Sequence, residues 1–205
     1  IIGCFKCGTT SLYEYLGQHP DIEKGRVKEP NFFADKEKFD KGFEWYKNLW
    51  PGNGKVSLEA TMLYTWYPLL ANAAERIRSI EENRDFMFIY IMRDPIERAE
   101  SHILHRASRG HVSWKNPLEN RWLMEVSRYA QQLDEYEKRF GLERIYLTTL
   151  EELKEEPKKV LRQICSFLGV PGDFEFNVET KHNQTKDRIV PGTFWRYLQT
   201  VNWVK

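Results

Sequence analysis

The sequence predicts an α/β fold of the P-loop nucleotide-binding type, in which a parallel β-sheet is flanked by helices on both faces. Strand-like apolar segments alternate with amphipathic helical segments along the chain. The segment 86–92 is an unbroken apolar run, which is typical of a parallel strand buried on both faces. We expect a single domain over 1–205, with its ligand at the carboxyl ends of the strands.

The N-terminal element has the pattern of a phosphate-binding strand, loop and helix. A strand is expected over 1–5 and a helix over 10–16, and Gly3 and Gly8 have the spacing of the two glycines of a Walker A loop. A nucleoside triphosphatase has a lysine directly after the second glycine. Here Thr9 follows Gly8, and the lysine of the loop is Lys6. The pattern therefore indicates a different anion.

The segment after 86–92 places an arginine at the edge of the predicted sheet. Asp94 has the features of a helix N-cap and Pro95 those of the first helical position, so a helix is expected over 96–106. Arg93 then lies at the carboxyl end of a central strand, where a guanidinium group suits phosphate. The alternative is a Walker B strand with magnesium at Asp94, which we disfavour because Asp94 already has a local role as the cap.

The other elements follow from hydrophobic periodicity and from helix stop signals. An irregular region is expected up to residue 55, and the segments 143–170 read as scaffold. The elements expected in order are a strand at 56–58, a helix at 69–80, a long helix at 119–140, a strand at 145–150 and a helix at 157–168.

Taken together, these segments resemble the sulfotransferases that use 3′-phosphoadenosine 5′-phosphosulfate (PAPS). The cofactor loop of that family reads Lys, any residue, Gly, Thr, and Thr or Ser, and this chain has KCGTTS at 6–11. In the family, an arginine after a central strand and a serine on the next helix hold the 3′-phosphate, which implies that role for Arg93 and Ser101. The resemblance implies cofactor binding by Lys6, Gly8, Thr9, Thr10 and Ser11.

The motif KEPNFF at 28–33 is closest to the heparan sulfate and related carbohydrate sulfotransferases. In that group the glutamate is a candidate general base, which implies this role for Glu29. A carboxylate is suitable because the acceptor hydroxyl must lose its proton as it attacks sulfur. The alternatives are a surface Lys–Glu pair before a proline turn, and a base supplied instead by His102 or His105.

The resemblance implies an enzyme that moves a sulfuryl group from PAPS to a hydroxyl group and leaves 3′,5′-adenosine bisphosphate. The acceptor is a carbohydrate or another small molecule, with an amine as the second choice. Lys6 and Glu29 are the implied catalytic residues, and no metal is implied. Two alternatives stay open, an NTP-dependent P-loop kinase of a small molecule and a non-catalytic nucleotide-binding protein.

Some positions depart from the family pattern. Cys7 occupies a slot where a small or basic residue is expected, and either a reactive or a packed thiol fits there. Ala60 follows Glu59 where several carbohydrate enzymes have a lysine. The basic loop that covers the 3′-phosphate has Lys186 and Arg188 as its candidates.

Composition limits the partners. The net charge of +1 argues against a general nucleic-acid binder, and no apolar run is long enough to span a bilayer. Three cysteines give neither a disulfide framework nor metal-ligand spacing.

The chain begins inside the first strand without a methionine, so we expect a soluble fragment of a longer protein. We expect it in the Golgi lumen if a membrane anchor lies upstream of the given residues, and in the cytoplasm if the protein is prokaryotic. Nothing in the sequence indicates the oligomeric state.

Overall fold

The computed structural model describes residues 1–52, 54–70, 73–81, 85–108 and 121–179. The strands are β1 (Ile22–Lys24), β2 (Val56–Leu58), β3 (Phe88–Met92) and β4 (Ile145–Thr149). The helices are α1 (Thr9–Leu16), α2 (Lys36–Phe39), α3 (Phe43–Lys47), α4 (Ala73–Ser79), α5 (Pro95–Ala107), α6 (Arg121–Glu125), α7 (Tyr129–Phe140), α8 (Leu150–Glu155) and α9 (Pro157–Leu168). Short 3₁₀ turns lie at Met62–Thr65 and Leu142–Arg144.

The described strands pair in parallel, β1 with β2 and β3 with β4. The first residues of the chain run between these two ladders. The Ile2 N–H donates to the Ile89 carbonyl at 3.0 Å, and the Ile1 carbonyl accepts from the Thr61 N–H at 3.2 Å. The strand expected over 1–5 is therefore not a regular strand here, because these bonds do not repeat along it as they do in a ladder.

Strand β3 separates two hydrophobic clusters, as the alternation of side chains along a strand requires. Ile89 and Ile91 pack into a cluster with residues of α1 and α9. Phe88 and Tyr90 pack into a second cluster with residues of α4 and α7. The predicted fold class, a parallel sheet covered by helices on both faces, is confirmed.

The scaffold helix α9 follows the predicted bounds of 157–168. Pro157 is its first residue, and Gly169 ends it in the left-handed conformation at φ 70°. Its buried residues recur at helical spacing: Val160, Leu161, Ile164 and Cys165. The sequence predicted this helix well because its start, stop and apolar face are all local signals.

The prediction of one long helix over 119–140 is wrong in one respect, because the chain leaves the helical conformation between α6 and α7. Buried side chains bind the backbone at the break. Arg98 Nη2 donates to the Leu123 carbonyl at 2.7 Å, and Cys4 Sγ donates to the Val126 carbonyl at 2.9 Å. Arg98 Nε also donates to Ser127 Oγ at 2.8 Å. These distant partners occupy acceptors of the turn, and nothing in the local sequence indicates them.

The region expected to be irregular up to residue 55 contains β1, α2 and α3. These elements are too short for hydrophobic periodicity to mark them. No helix in the described ranges has both the length and the apolar character that a membrane span needs.

Gly3 lies where the first segment runs beside β3, and we expect Gly3→Ala to destabilise the protein. An added Cβ would lie 2.3 Å from Ile91 Cγ2 and 2.7 Å from the Ile91 carbonyl oxygen. Since one of these contacts is to backbone, we expect a loss of about 2 kcal/mol in the free energy of unfolding, measured by urea denaturation. Gly172→Ala is the control, because its nearest neighbour would lie 3.6 Å away. An equal, small effect of both substitutions would contradict this packing.

Candidate functional site

The loop before α1 has the backbone of an anion-binding turn. Lys6 has a φ of 72° and Gly8 a φ of 90°, both in the left-handed region. The φ of 90° favours glycine at this position, and a Cβ there would lie 2.6 Å from Leu150 Cδ1, so the Leu150 side chain would have to move. Gly8 is the N-cap of α1 and has no side chain to cap the first turn.

The first turn of α1 carries the hydroxyl residues of the predicted phosphate loop: Thr9, Thr10 and Ser11. The N–H groups at a helix start point outward along the axis and carry partial positive charge. No acidic residue belongs to this turn of α1. Gly8, Thr9, Thr10 and Ser11 therefore lie at a helix start whose form fits a phosphate group.

Glu29 lies close to this helix start and is linked to it by Lys28. Lys28 Nζ donates to Thr10 Oγ1 at 3.0 Å and to Glu29 Oε1 at 3.0 Å. The Lys28 and Glu29 side chains are about a quarter and a third exposed. The Lys–Glu pair predicted as one alternative is thus present, and its lysine contacts Thr10 at the start of α1 as well as solvent. Sequence reasoning gave Lys28 no role, although it directly precedes the candidate base.

Arg93 and Ser101 lie on the predicted β3–α5 segment. Arg93 directly follows β3, and its Nη2 donates to Glu97 Oε2 at 2.8 Å. Its side chain is 18% exposed, which leaves the guanidinium group within reach of a ligand. Ser101 is buried on α5. In the described contacts the Arg93 side chain binds Glu97.

Asp94 is the N-cap that the sequence predicts. Its Oδ1 accepts from the Ile96 N–H at 3.0 Å and from the Glu97 N–H at 2.9 Å. Both bonds use the carboxylate locally, as expected of a cap rather than of a magnesium ligand. Within the part of the chain that the structure describes, no group of three or more His, Cys, Asp or Glu residues is placed to hold a metal ion.

Tyr129 connects the loop with the end of β3, and sequence reasoning missed it. Its hydroxyl donates to the Arg93 carbonyl at 2.8 Å and lies 3.8 Å from Cys7 Sγ. Burial raises the pKa of Tyr129, so this hydroxyl keeps its proton and stays a donor. Burial also raises the pKa of the Cys7 thiol, which favours the packed form over the reactive one. Tyr129 lies far along the chain, and no local signal marks it.

The two histidines on α5 lie beside the loop. The Phe5 ring contacts His102 with 4.5 Å between ring centroids and His105 with 5.1 Å. Burial, reinforced by the Arg98 charge, lowers the pKa of His102 from 6.5 to about 3. An imidazole that binds protons so weakly is a poor general base, and this favours Glu29 over His102.

We expect His102 to make stability depend on pH. Its folded pKa of about 3 lies below the unfolded value of 6.5, so between these values only the unfolded state binds the proton. The free energy of unfolding therefore decreases as the pH falls below 6.5, because protonation of His102 stabilises only the unfolded state. Relative to His102→Asn, the wild type should lose about 2 kcal/mol of unfolding free energy between about pH 7 and about pH 4.5. Urea denaturation at both pH values measures this. A constant difference would show that His102 titrates normally.

Glu59 and its neighbours lie in the interior. The Glu59 carboxylate accepts from the Tyr46 hydroxyl and from Thr61 Oγ1, the latter at 2.5 Å, and burial raises its pKa. It borders a cavity of about 690 Å³ that is also lined by the whole of β2 and by the first residues of β3. At β3 the cavity lies at the amino end of the strand, whereas ligands of open α/β sheets bind at the carboxyl ends.

Aromatic residues of 46–66 and of α6 differ in exposure. Tyr46, Tyr64 and Trp66 are buried in the core. Trp122 is 45% exposed and packs edge-on against Trp66, with 5.1 Å between ring centroids. The 3′-phosphate candidates Lys186 and Arg188 lie outside the described residues.

Comparison with known proteins shows that the chain is similar to sulfotransferases. The sulfotransferase domain family profile matches residues 1–190. Heparan sulfate glucosamine 3-O-sulfotransferase 3B1 of Homo sapiens is 29% identical over 184 residues, which are 83% of this chain and 45% of that protein. The bifunctional heparan sulfate N-deacetylase/N-sulfotransferase 1 of Caenorhabditis briggsae is 28% identical over 209 residues, covering 91% of this chain and 24% of that protein. This chain thus spans less than half the length of either relative.

Among solved structures, the sulfotransferase from Alicyclobacillus acidocaldarius superposes with a TM-score of 0.74 at 26% identity. The match covers 89% of this chain and 85% of that one. The similarity therefore extends over nearly the whole of both folds.

Proposed function

The chain belongs to the sulfotransferase domain family, and from this we propose that it transfers a sulfuryl group from PAPS to a hydroxyl group of a carbohydrate. The observation that carries the proposal is the contact of Lys28 with both Thr10 and Glu29. It holds a carboxylate close to a helix start that fits a phosphate group. A phosphate cradle next to a candidate base is what transfer from a phosphosulfate to a hydroxyl requires.

The residues of the α1 start fit the 5′-phosphate of PAPS. Backbone N–H groups and hydroxyls bind the phosphate oxygens, and Lys6 neutralises the bridging oxygen as the phosphate leaves. The residues that hold this phosphate are Gly8, Thr9, Thr10 and Ser11. Bound PAPS supplies the electrophilic sulfuryl group, and 3′,5′-adenosine bisphosphate is the product.

Arg93 and Ser101 are proposed to hold the 3′-phosphate. The Arg93 guanidinium exchanges its partner Glu97 for phosphate, which it binds in a forked geometry. Glu97 is 56% exposed, and an ion pair with so exposed a partner contributes little to stability, so we expect the exchange to cost little free energy. Ser101 lies two turns into α5, which begins two residues after Arg93, and its hydroxyl donates a second hydrogen bond to the 3′-phosphate.

Glu29 takes the proton of the acceptor hydroxyl in the chemical step. As the proton moves to the carboxylate, the acceptor oxygen forms a bond to sulfur and the bond from sulfur to the bridging oxygen breaks. Lys6 is the cation that stabilises the negative charge on the departing oxygen. No step in this sequence needs a metal ion.

The names of the relatives suggest a glucosamine-containing polysaccharide as the acceptor, with either oxygen or nitrogen as the nucleophile. The test is transfer of label from sulfur-35 PAPS to heparosan, to N-deacetylated heparosan and to a simple phenol, with Lys6→Met protein as the blank. We expect label in heparosan that survives nitrous acid, which removes N-sulfate groups. Label only in the deacetylated polymer would shift the proposal to an amine, and label only in the phenol would exclude a carbohydrate. Binding of 3′,5′-adenosine bisphosphate without any transfer would contradict catalysis.

A further inference from the structure

We propose that Lys28 is a second cationic catalytic residue, whose ammonium group donates a hydrogen bond to the sulfuryl group of bound PAPS. This inference rests on the proposed function, because it assigns a further residue to the same reaction. The sequence motif assigned no catalytic role to Lys28. The contacts of its side chain in the structure suggest this role.

The backbone and the side chain of Lys28 are both fixed. Its carbonyl accepts from the Ala60 N–H at 3.3 Å, which holds the backbone against the residues that follow β2. From there its side chain reaches the start of α1, where Nζ lies 3.0 Å from Thr10 Oγ1 and 3.0 Å from Glu29 Oε1. The side chain is only 26% exposed. A partly desolvated ammonium group interacts more strongly with an anion than an exposed one does.

The geometry of in-line transfer places Lys28 beside the group that moves. The leaving oxygen, the sulfur and the attacking oxygen lie nearly on one line. Thr10 belongs to the cradle on the leaving side, and Glu29 is the base on the attacking side. Because Lys28 contacts a side-chain oxygen of each, it lies between the two ends of this line. The sulfuryl oxygens project from the middle of the line, where a cation stabilises their charge.

The chain offers a matched lysine without this position. Lys24 Nζ pairs with Glu14 Oε2 at 2.7 Å, and the side-chain exposures of 37% and 32% are close to the 26% and 32% of the Lys28–Glu29 pair. Lys24 approaches the ring of Tyr13 instead of the hydroxyls at the start of α1. Its removal therefore controls for the loss of a lysine and of an ion pair.

The experiment is calorimetric titration of the protein with PAPS and, separately, with 3′,5′-adenosine bisphosphate, without any acceptor. The two ligands differ only in the sulfuryl group. For Lys28→Met we expect PAPS to bind about 10-fold more weakly and the bisphosphate to change by less than about twofold. Lys28→Arg should recover most of the PAPS affinity, and Lys24→Met should bind both ligands as the wild type does.

Two outcomes would overturn the inference. An equal loss for both ligands would make Lys28 part of the phosphate cradle alone, and no loss for either would make its contacts structural. If Lys28→Met does not fold, Lys28→Gln is used, since it keeps a donor for Thr10 but removes the charge. A wild type that binds neither ligand would instead refute the proposed function, and a wild type that binds both leaves only Lys28 in question.

Discussion

Replacing Lys6 with methionine is expected to lower kcat about 10³-fold, the largest loss that this site predicts for one side chain. Methionine keeps the length of the side chain and removes only the charge that neutralises the departing oxygen. It has no greater difficulty than lysine with the φ of 72° at this position. The rate is measured with PAPS and the acceptor that the wild type uses best.

Lys36→Met is the control for this substitution, because Lys36 lies on the surface with a side chain that is 77% exposed. It should leave kcat within about twofold, since exposed ion pairs contribute little. A Lys6→Met protein that keeps more than about a tenth of the wild-type kcat would mean that another group carries the leaving charge.

Replacing Glu29 with glutamine is expected to lower kcat by about 10² to 10³-fold while the affinity for 3′,5′-adenosine bisphosphate stays within about twofold. Glutamine keeps the shape and an acceptor oxygen for Lys28, but it cannot take a proton at neutral pH. Single-turnover rates and calorimetric titration separate the two effects.

Glu14→Gln is the matched control for Glu29→Gln, because both carboxylates pair with a lysine and both side chains are 32% exposed. It should leave kcat and affinity unchanged. If Glu29→Gln retained nearly full kcat, the base would lie elsewhere. His105 would then be tested next, since the lowered pKa of His102 disfavours that residue.

Much of the fold could be predicted because its signals are local. The apolar run of β3, the Asp94 cap of α5 and the Pro157 start of α9 all lie within a few residues of the element they define. The resemblance to PAPS-dependent sulfotransferases, drawn from motifs of the same local kind, is confirmed by the family match. The single-domain boundary and the roles of the site residues stay predictions.

The parts that could not be predicted depend on contacts between distant residues. Arg98 binds the turn that separates α6 from α7, and Tyr129 binds the carbonyl of Arg93. Lys28 reaches Thr10 across the gap between a loop and α1. A side chain that acts through such a contact has no periodicity or capping pattern of its own, so only the structure can identify it.

The most direct test of the central claim is calorimetric titration with 3′,5′-adenosine bisphosphate, with AMP, and with ATP plus magnesium, each on the wild type and on Arg93→Ala. We predict tight binding of the bisphosphate without metal, at least about 100-fold weaker binding of AMP, and loss of this preference in Arg93→Ala. Preference for ATP with magnesium, or equal binding of the bisphosphate and AMP, would contradict a PAPS-dependent sulfotransferase and favour a kinase.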